Sequence, residues 1–64
     1  MEEIKFGTLL IYNNGIEDER LVVMGIKEGF VKIFNVKSET TEWMEISELK
    51  RLINNNEIFE IINY

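Results

Sequence analysis

The side chains of this sequence that could do chemistry are carboxylates, lysines and hydroxyls, because histidine and cysteine are both absent. Imidazole and thiolate are the usual zinc ligands, and they also supply the base or the nucleophile of many hydrolytic mechanisms. Ser38 and Ser47 therefore have no histidine to activate them. Paired carboxylates need a cleft that shifts a pKa, which a chain of 64 residues seldom encloses. The sequence predicts a protein that is not an enzyme and that holds no cofactor.

Glu17, Asp18 and Glu19 form the densest run of acids in the chain. A calcium loop places oxygen ligands in a fixed alternation around a glycine, and this triplet lacks that order. Imitation of a nucleic-acid backbone would need a dense row of carboxylates, whereas bases interrupt the acids of this chain. A solvated surface that keeps the protein soluble is the ordinary interpretation. No metal site is expected.

Phe30 and Phe34 flank Lys32 at a spacing of two residues, which places two rings and one ammonium group on one face of a strand. Such a face can stack the bases and hold a phosphate of single-stranded nucleic acid. Three cations that can extend it are Arg20, Lys27 and Lys37. Alternatively, both rings pack beneath a helix while Lys32 reaches into water, or the exposed rings contact a protein partner.

Trp43 has the largest apolar surface of any side chain in the sequence. Packing in the core or against a helix is its first interpretation, and an anchor at a protein interface is the alternative. Trp43 and the strand face around Lys32 form one set of candidate interaction residues. The set consists of Phe30, Lys32, Phe34 and Trp43. The acidic triplet at 17–19 is a second and separate candidate.

The chain is acidic, with a formal net charge of -5 that is unevenly distributed. Residues 20–38 contain one acid and four bases, whereas residues 1–19 and 39–64 are both acidic. Neutralisation of phosphates requires clustered lysine and arginine, so the net charge disfavours nucleic acid as a partner. No apolar run approaches the roughly 18 residues of a membrane span, and the acidic start is unlike a secretory signal. A cytoplasmic protein without membrane contact is expected.

Apolar periodicity predicts four strands before any helix, over residues 4–12, 20–26, 30–36 and 40–46. Asparagine and glycine at 13–15 signal a turn. The stretch 15–19 is then a longer loop that carries the acidic triplet.

Two further turns separate the remaining strands of this predicted order. Lys27, Glu28 and Gly29 predict a tight three-residue connection with the glycine in the left-handed conformation. Residues 37–39 turn the chain again before the fourth strand.

A short helix is predicted after the fourth strand, with Ser47 as its N-cap and Glu48 in its first turn. An apolar stripe at helical spacing is formed by Leu49, Leu52 and Ile53. Three asparagines end this helix at 54–56. Residues 57–62 predict a last strand, with a helical continuation as the open alternative.

This order of a long first loop, a tight central hairpin, a short late helix and a closing strand resembles that of the small SH3-like barrels, among which are SH3, Tudor and KOW domains. The resemblance spans residues 4–62. It implies a mainly β fold, a small five-stranded barrel with one short helix before the last strand. A length of 64 residues allows only a single domain, over 1–64, because two domains would each have too little core to bury.

The same resemblance suggests two kinds of ligand. In SH3 domains, acids of the first loop face an arginine of a proline-rich peptide, and Glu17, Asp18 and Glu19 have that place here. The aromatic-rich signature of SH3 domains is missing after the first strand, so proline-peptide binding does not follow. A Tudor-type cage for a methylated cation needs several converging rings. The side chains available for one are Tyr12, Phe30, Phe34 and Trp43.

The resulting hypothesis is a non-catalytic protein-interaction module. Abundant isoleucine, asparagine, glutamate and lysine, without alanine, proline or histidine, is a bias typical of AT-rich bacterial or phage genomes. It suggests an accessory protein of a phage or mobile element that binds a host factor. One alternative is a module for single-stranded nucleic acid that uses Lys27, Phe30, Lys32 and Phe34. The other is a structural domain that assembles with itself, because a homo-oligomer gains the burial that so short a chain lacks.

Overall fold

The computed structural model describes residues 4–64 and contains one antiparallel sheet of five strands with one helix packed on it. The elements in chain order are β1 (Leu9–Asn13), β2 (Asp18–Lys27), β3 (Phe30–Asn35), β4 (Thr40–Glu45), α1 (Ile46–Asn54) and β5 (Ile58–Ile62). In the sheet the strands follow the order β4-β3-β2-β1-β5. This confirms a mainly β fold with five strands and one short helix before the last strand.

The sheet is not closed into a barrel, which differs from the expected closure. β4 and β5 are its two edges, and neither pairs with the other among residues 4–64. Helix α1 contacts both edge strands. It connects the end of β4 to the start of β5.

Alternation along the strands gives the sheet an inner face, which packs against α1, and an outer face, which no other element covers within the described part of the chain. On β3, Val31 and Ile33 are buried, as the period of two predicts. The buried apolar core consists of Leu10, Leu21, Val23, Val31, Ile33, Leu49, Leu52 and Ile58. All these side chains belong to the inner face or to α1.

The first strand is shorter than predicted, because β1 begins at Leu9 and not at residue 4. Gly7 has a φ of 89°, a left-handed conformation that ends an extended strand. The Thr8 backbone N–H donates to the Lys5 carbonyl at 3.0 Å, so the preceding residues form a turn.

The predicted long loop at 15–19 is also wrong, since β2 already begins at Asp18. Asn14 closes the connection by accepting the backbone N–H groups of Ile16 and Glu17 through its Oδ1, at 2.8 and 2.9 Å. Asparagine side chains form such local turns readily. Only Glu17 of the acidic triplet therefore lies in the loop, and Asp18 and Glu19 are part of a strand.

The β2–β3 hairpin is the tightest connection of the fold. Lys27 pairs with Phe30, so the turn has two residues and not three. Glu28 has a φ of 40° and Gly29 a φ of 86°. The left-handed glycine is as predicted, and positive φ at both positions matches the turn type that suits the twist of a hairpin.

The helix begins at Ile46, and the predicted Ser47 cap is wrong. Glu45 is the N-cap residue, and its side chain makes no capping hydrogen bond. The Ile46 N–H instead donates to the Gly29 carbonyl at 2.9 Å, which joins the helix start to the β2–β3 turn. A backbone partner therefore replaces the side-chain cap.

The end of α1 confirms the asparagine signal. Asn56 is left-handed, with a φ of 60°. The Glu57 N–H donates to the Leu52 carbonyl at 2.9 Å, and the Asn56 N–H to the Ile53 carbonyl at 3.1 Å, the pattern of a Schellman ending. Residues 58–62 then pair with β1, which confirms the strand and rules out the helical alternative.

Candidate functional site

Neighbouring positions of β3 and β4 bring the candidate interaction residues together on the outer face. Lys32 lies opposite Trp43, and Phe34 lies opposite Thr41. Phe30 is two residues before Lys32 and therefore on the same face. We call the group Phe30, Lys32, Phe34 and Trp43 the outer aromatic site.

Two of the three rings of this site are exposed. Trp43 is 52% exposed and Phe30 is 44% exposed, while Phe34 is half-buried. The prediction that Trp43 packs in the core is wrong, and so is the prediction that Phe30 and Phe34 lie beneath the helix. The physical reason is register: β3 turns Val31 and Ile33 toward α1, and its rings then have to face outward.

The lysine of the site contacts the tryptophan ring. Lys32 Nζ lies 5.8 Å from the centroid of the Trp43 ring, within the range of a cation–π interaction. A shallow cavity of about 370 Å³ lies next to it, lined by Lys27, Glu28, Phe30 and Trp43.

Charges at the outer aromatic site are balanced. Lys27 and Lys32 lie beside its rings, and Glu28 and Glu45 lie at the same end of the sheet. Lys37 is in the β3–β4 turn at the opposite end, where it forms an ion pair with Glu17. A nucleic-acid surface was expected to combine Lys27, Lys32 and Lys37. The fold brings Lys27 and Lys32 together and places Lys37 at the other end of the sheet.

The acidic triplet at 17–19 is occupied by contacts within the chain. Glu17 pairs with Lys37, and Asp18 Oδ1 accepts a hydrogen bond from Asn13 Nδ2 at 2.9 Å. Glu19 accepts from Asn35 Nδ2 at 2.6 Å and also from Asn14 Nδ2. Both hydrogen bonds hold the pKa of Glu19 below its usual value, and the one from Asn35 has the larger effect. The triplet therefore joins the β1–β2 and β3–β4 turns.

A second cavity, of about 390 Å³, lies on the inner face between the β3–β4 end of the sheet and α1. Its walls combine apolar side chains, including Ile33, Met44 and Leu52, with four charged ones. The charged residues that line it are Glu42, Glu48, Arg51 and Glu57. Sequence reasoning missed this cavity, because its lining combines residues far apart in the chain, from Tyr12 to Glu57.

One ion-paired cluster defines the rim of this inner cavity. Arg51 donates to both carboxylate oxygens of Glu48, from Nε at 2.9 Å and from Nη2 at 2.6 Å, and its Nη1 lies 3.6 Å from Glu57 Oε2. Hydrogen bonding to Arg51 lowers the pKa of Glu48, and the Glu48 carboxylate raises the pKa of Arg51. The available sequence signal was the spacing of three residues between Glu48 and Arg51 on a helix.

Within residues 4–64, no group of three acidic side chains is close enough to hold a metal ion. No helix in that range has the length and apolarity to cross a membrane. Comparison with protein-family models, with curated proteins and with solved structures finds no match for this chain. The geometry of the two faces is therefore the basis for a functional proposal.

Proposed function

We propose that this chain is a small non-catalytic protein-interaction module that binds its partner through the outer aromatic site. The observation that carries the proposal is the pair of exposed rings, Trp43 and Phe30, which line one shallow cavity on a sheet face that no element of the described chain covers. Exposed aromatic side chains at the centre of a patch are the groups that most often anchor a protein interface.

The balance of charge favours a protein over a nucleic acid as the partner. Glu28 and Glu45 lie as close to the rings as Lys27 and Lys32 do, so a phosphate backbone laid along the site would meet two carboxylates. The net charge of -5 adds repulsion at longer range. A protein partner can match both signs of charge around an apolar centre.

Two finer statements belong to this proposal. The five strands with a short helix before the last support a relationship to small SH3-like barrels. The residue composition supports an origin in a phage or mobile element and a host protein as the partner.

The proposal is tested by capture of partners from the source cell with the tagged full chain. Trp43→Ala and Phe34→Ala each remove a ring of the site, and we expect a captured partner to be lost, since truncation of an anchoring ring weakens binding by about 30-fold or more. Tyr64→Ala is the matched control, because Tyr64 is an exposed ring outside the site. Equal capture by all of these variants would contradict the proposal.

One observation favours the nucleic-acid alternative, namely that Lys27 and Lys32 lie beside Phe30 and Trp43 on one face. Titration with a single-stranded oligothymidine, followed by the fluorescence of Trp43, the single tryptophan of the chain, distinguishes the two functions. The protein-interaction proposal predicts no binding at physiological salt. Binding that weakens steeply with added salt would support the alternative instead.

A further inference from the structure

We infer that the free edge of β4 pairs with an extended basic segment of the partner, and that a lysine or arginine of this segment enters the inner cavity. This inference rests on the proposed function and names the chemistry of the partner. It adds a second surface, the strand edge with the cavity behind it, to the outer aromatic site.

The edge of β4 is open for such pairing. β4 pairs with β3 over six consecutive positions, from Phe30 opposite Glu45 to Asn35 opposite Thr40, without a shift in register. The other side of β4 has no strand partner among residues 4–64, and every residue of the strand except Met44 is exposed. Its outward backbone groups are available as a template for another strand.

The opposite edge of the sheet suits an added strand less well. The pairing of β5 with β1 shifts between Ile11 and Tyr12. Such an irregularity bends a strand and interrupts the regular row of backbone donors and acceptors. A regular edge therefore exists on β4 and not on β5.

The charges of β4 select against a second copy of this chain as the added strand. Glu42 lies opposite Ile33 and lines the inner cavity. Glu45 lies at the end of the same strand. Two copies paired through β4 would bring the Glu42 carboxylates of both copies to the inner side of one sheet, and a charge turned inward on an edge strand is a known obstacle to such pairing. A strand that carries cations meets attraction at the same positions.

The inner cavity matches a long cationic side chain. Its lining contains three carboxylates and one guanidinium, and Arg51 is already engaged by Glu48 and Glu57. Glu42 has neither a hydrogen bond nor an ion pair within the part of the chain that the structure describes. The apolar walls can cover the methylene stem of lysine or arginine while the charged head reaches Glu42. At about 390 Å³ the cavity is of the size of small ligand sites, roughly 300–1,000 Å³.

Strand alternation connects the cavity to the outer aromatic site. The side chains of an added strand point by turns to the two faces of the sheet. A residue beside Glu42 enters the inner cavity, and its neighbour lies beside Trp43 on the outer face. A segment that alternates basic and apolar residues therefore contacts both surfaces at once.

The test uses a synthetic heptapeptide of alternating valine and lysine, acetylated and amidated at its ends, with the full chain. We expect its binding to change the fluorescence of Trp43 and to protect the backbone amides of β4 from hydrogen exchange. Glu42→Gln should weaken binding by about twofold to fivefold, the usual effect of one exposed ion pair. Glu60→Gln, a carboxylate on β5, is the matched control and should leave the affinity unchanged.

Two further peptides separate this inference from the function on which it rests. A peptide with glutamate in place of lysine should not bind, and a peptide methylated at alternate backbone nitrogens should lose binding because it cannot pair with an edge. Equal binding of the methylated peptide, an unchanged affinity of Glu42→Gln, or no binding at about 1 mM of the parent peptide overturns the inference. Sedimentation showing a dimer that protects the β4 amides overturns it as well. None of these results affects capture of a partner through Trp43, which tests the proposed function by itself.

Discussion

The two faces of the sheet differ in a way that hydrophobicity alone does not explain. On the inner face, β3 contributes Val31 and Ile33, which are buried, whereas on the outer face the same strand contributes Phe30, which is larger and 44% exposed. β4 repeats the contrast with Met44 inside, partly buried, and Trp43 outside, 52% exposed. The largest apolar groups of this end of the molecule are thus only partly buried.

This contrast means that the inner face stabilises the fold, while the outer face is available for binding. The core between the sheet and the nine-residue helix consists of branched aliphatic side chains, so its packing does not use the rings. Rings left on an uncovered face contribute less to folding and are available to a partner.

The largest expected effect comes from the inner face. Ile33→Ala removes a buried side chain next to α1 and should lower the free energy of unfolding by about 2–5 kcal/mol. Phe30→Ala, on the same strand but on the outer face, should cost only about 1 kcal/mol. Urea unfolding followed by the fluorescence of Trp43 measures both. Equal losses would show that the outer face is part of the core.

The next effect concerns the turn that sets which residues face inward. Gly29 has a φ of 86°, where a side chain is strained although its Cβ would meet no neighbour. Gly29→Ala should therefore lower stability by about 1–2 kcal/mol. The Gly29 carbonyl also accepts the first N–H of α1. No loss of stability, measured by thermal unfolding, would mean that the strand register does not depend on this conformation.

A smaller gain is expected at the other position of the same turn. Glu28 has a φ of 40°, which asparagine tolerates better than glutamate. Glu28→Asn should raise the free energy of unfolding by about 0.5 kcal/mol. Glu28→Gln removes the same charge without the turn preference and is the control. If both variants gain equally, charge and not backbone conformation limits the turn.

The smallest effect is a dependence on pH at the rim of the inner cavity. Hydrogen bonding to Arg51 lowers the pKa of Glu48 in the folded protein. The contribution of this group is therefore present above the unfolded pKa of a glutamate, roughly 4.3, and is lost as pH falls through the lower folded pKa. Unfolding midpoints between neutral and acidic pH should decrease less for Glu48→Gln than for the parent chain. An identical decrease in both would show that this ion pair does not stabilise the cavity rim.

Much of the fold could be predicted from local sequence patterns. The period of two in β3 assigned Val31 and Ile33 to one face and the rings to the other, and the helical spacing of Leu49 and Leu52 identified the buried side of α1. Gly29 located the hairpin. These signals succeed because each depends on residues a few positions apart in the chain.

The errors arose where a distant or an unexpected local partner decided the outcome. The Gly29 carbonyl replaced the Ser47 cap at the start of α1. The side chain of Asn14 closed the first connection in fewer residues than expected, which moved Asp18 and Glu19 into β2. In both cases the residue types permitted several conformations, and a hydrogen-bond partner selected one of them.

By itself the sequence determined the order of the elements, the alternation within each strand and the excess of acids over bases. Only the tertiary structure decided which face of the sheet α1 covers, and with it the exposure of Trp43, the opening of the β4 edge and the formation of the inner cavity. The reason is that the period of two assigns the side chains of a strand to two faces but does not determine which face is buried. The helix, joined to the sheet through the Gly29 carbonyl and packed through Leu49 and Leu52, buries one face and leaves the other to solvent.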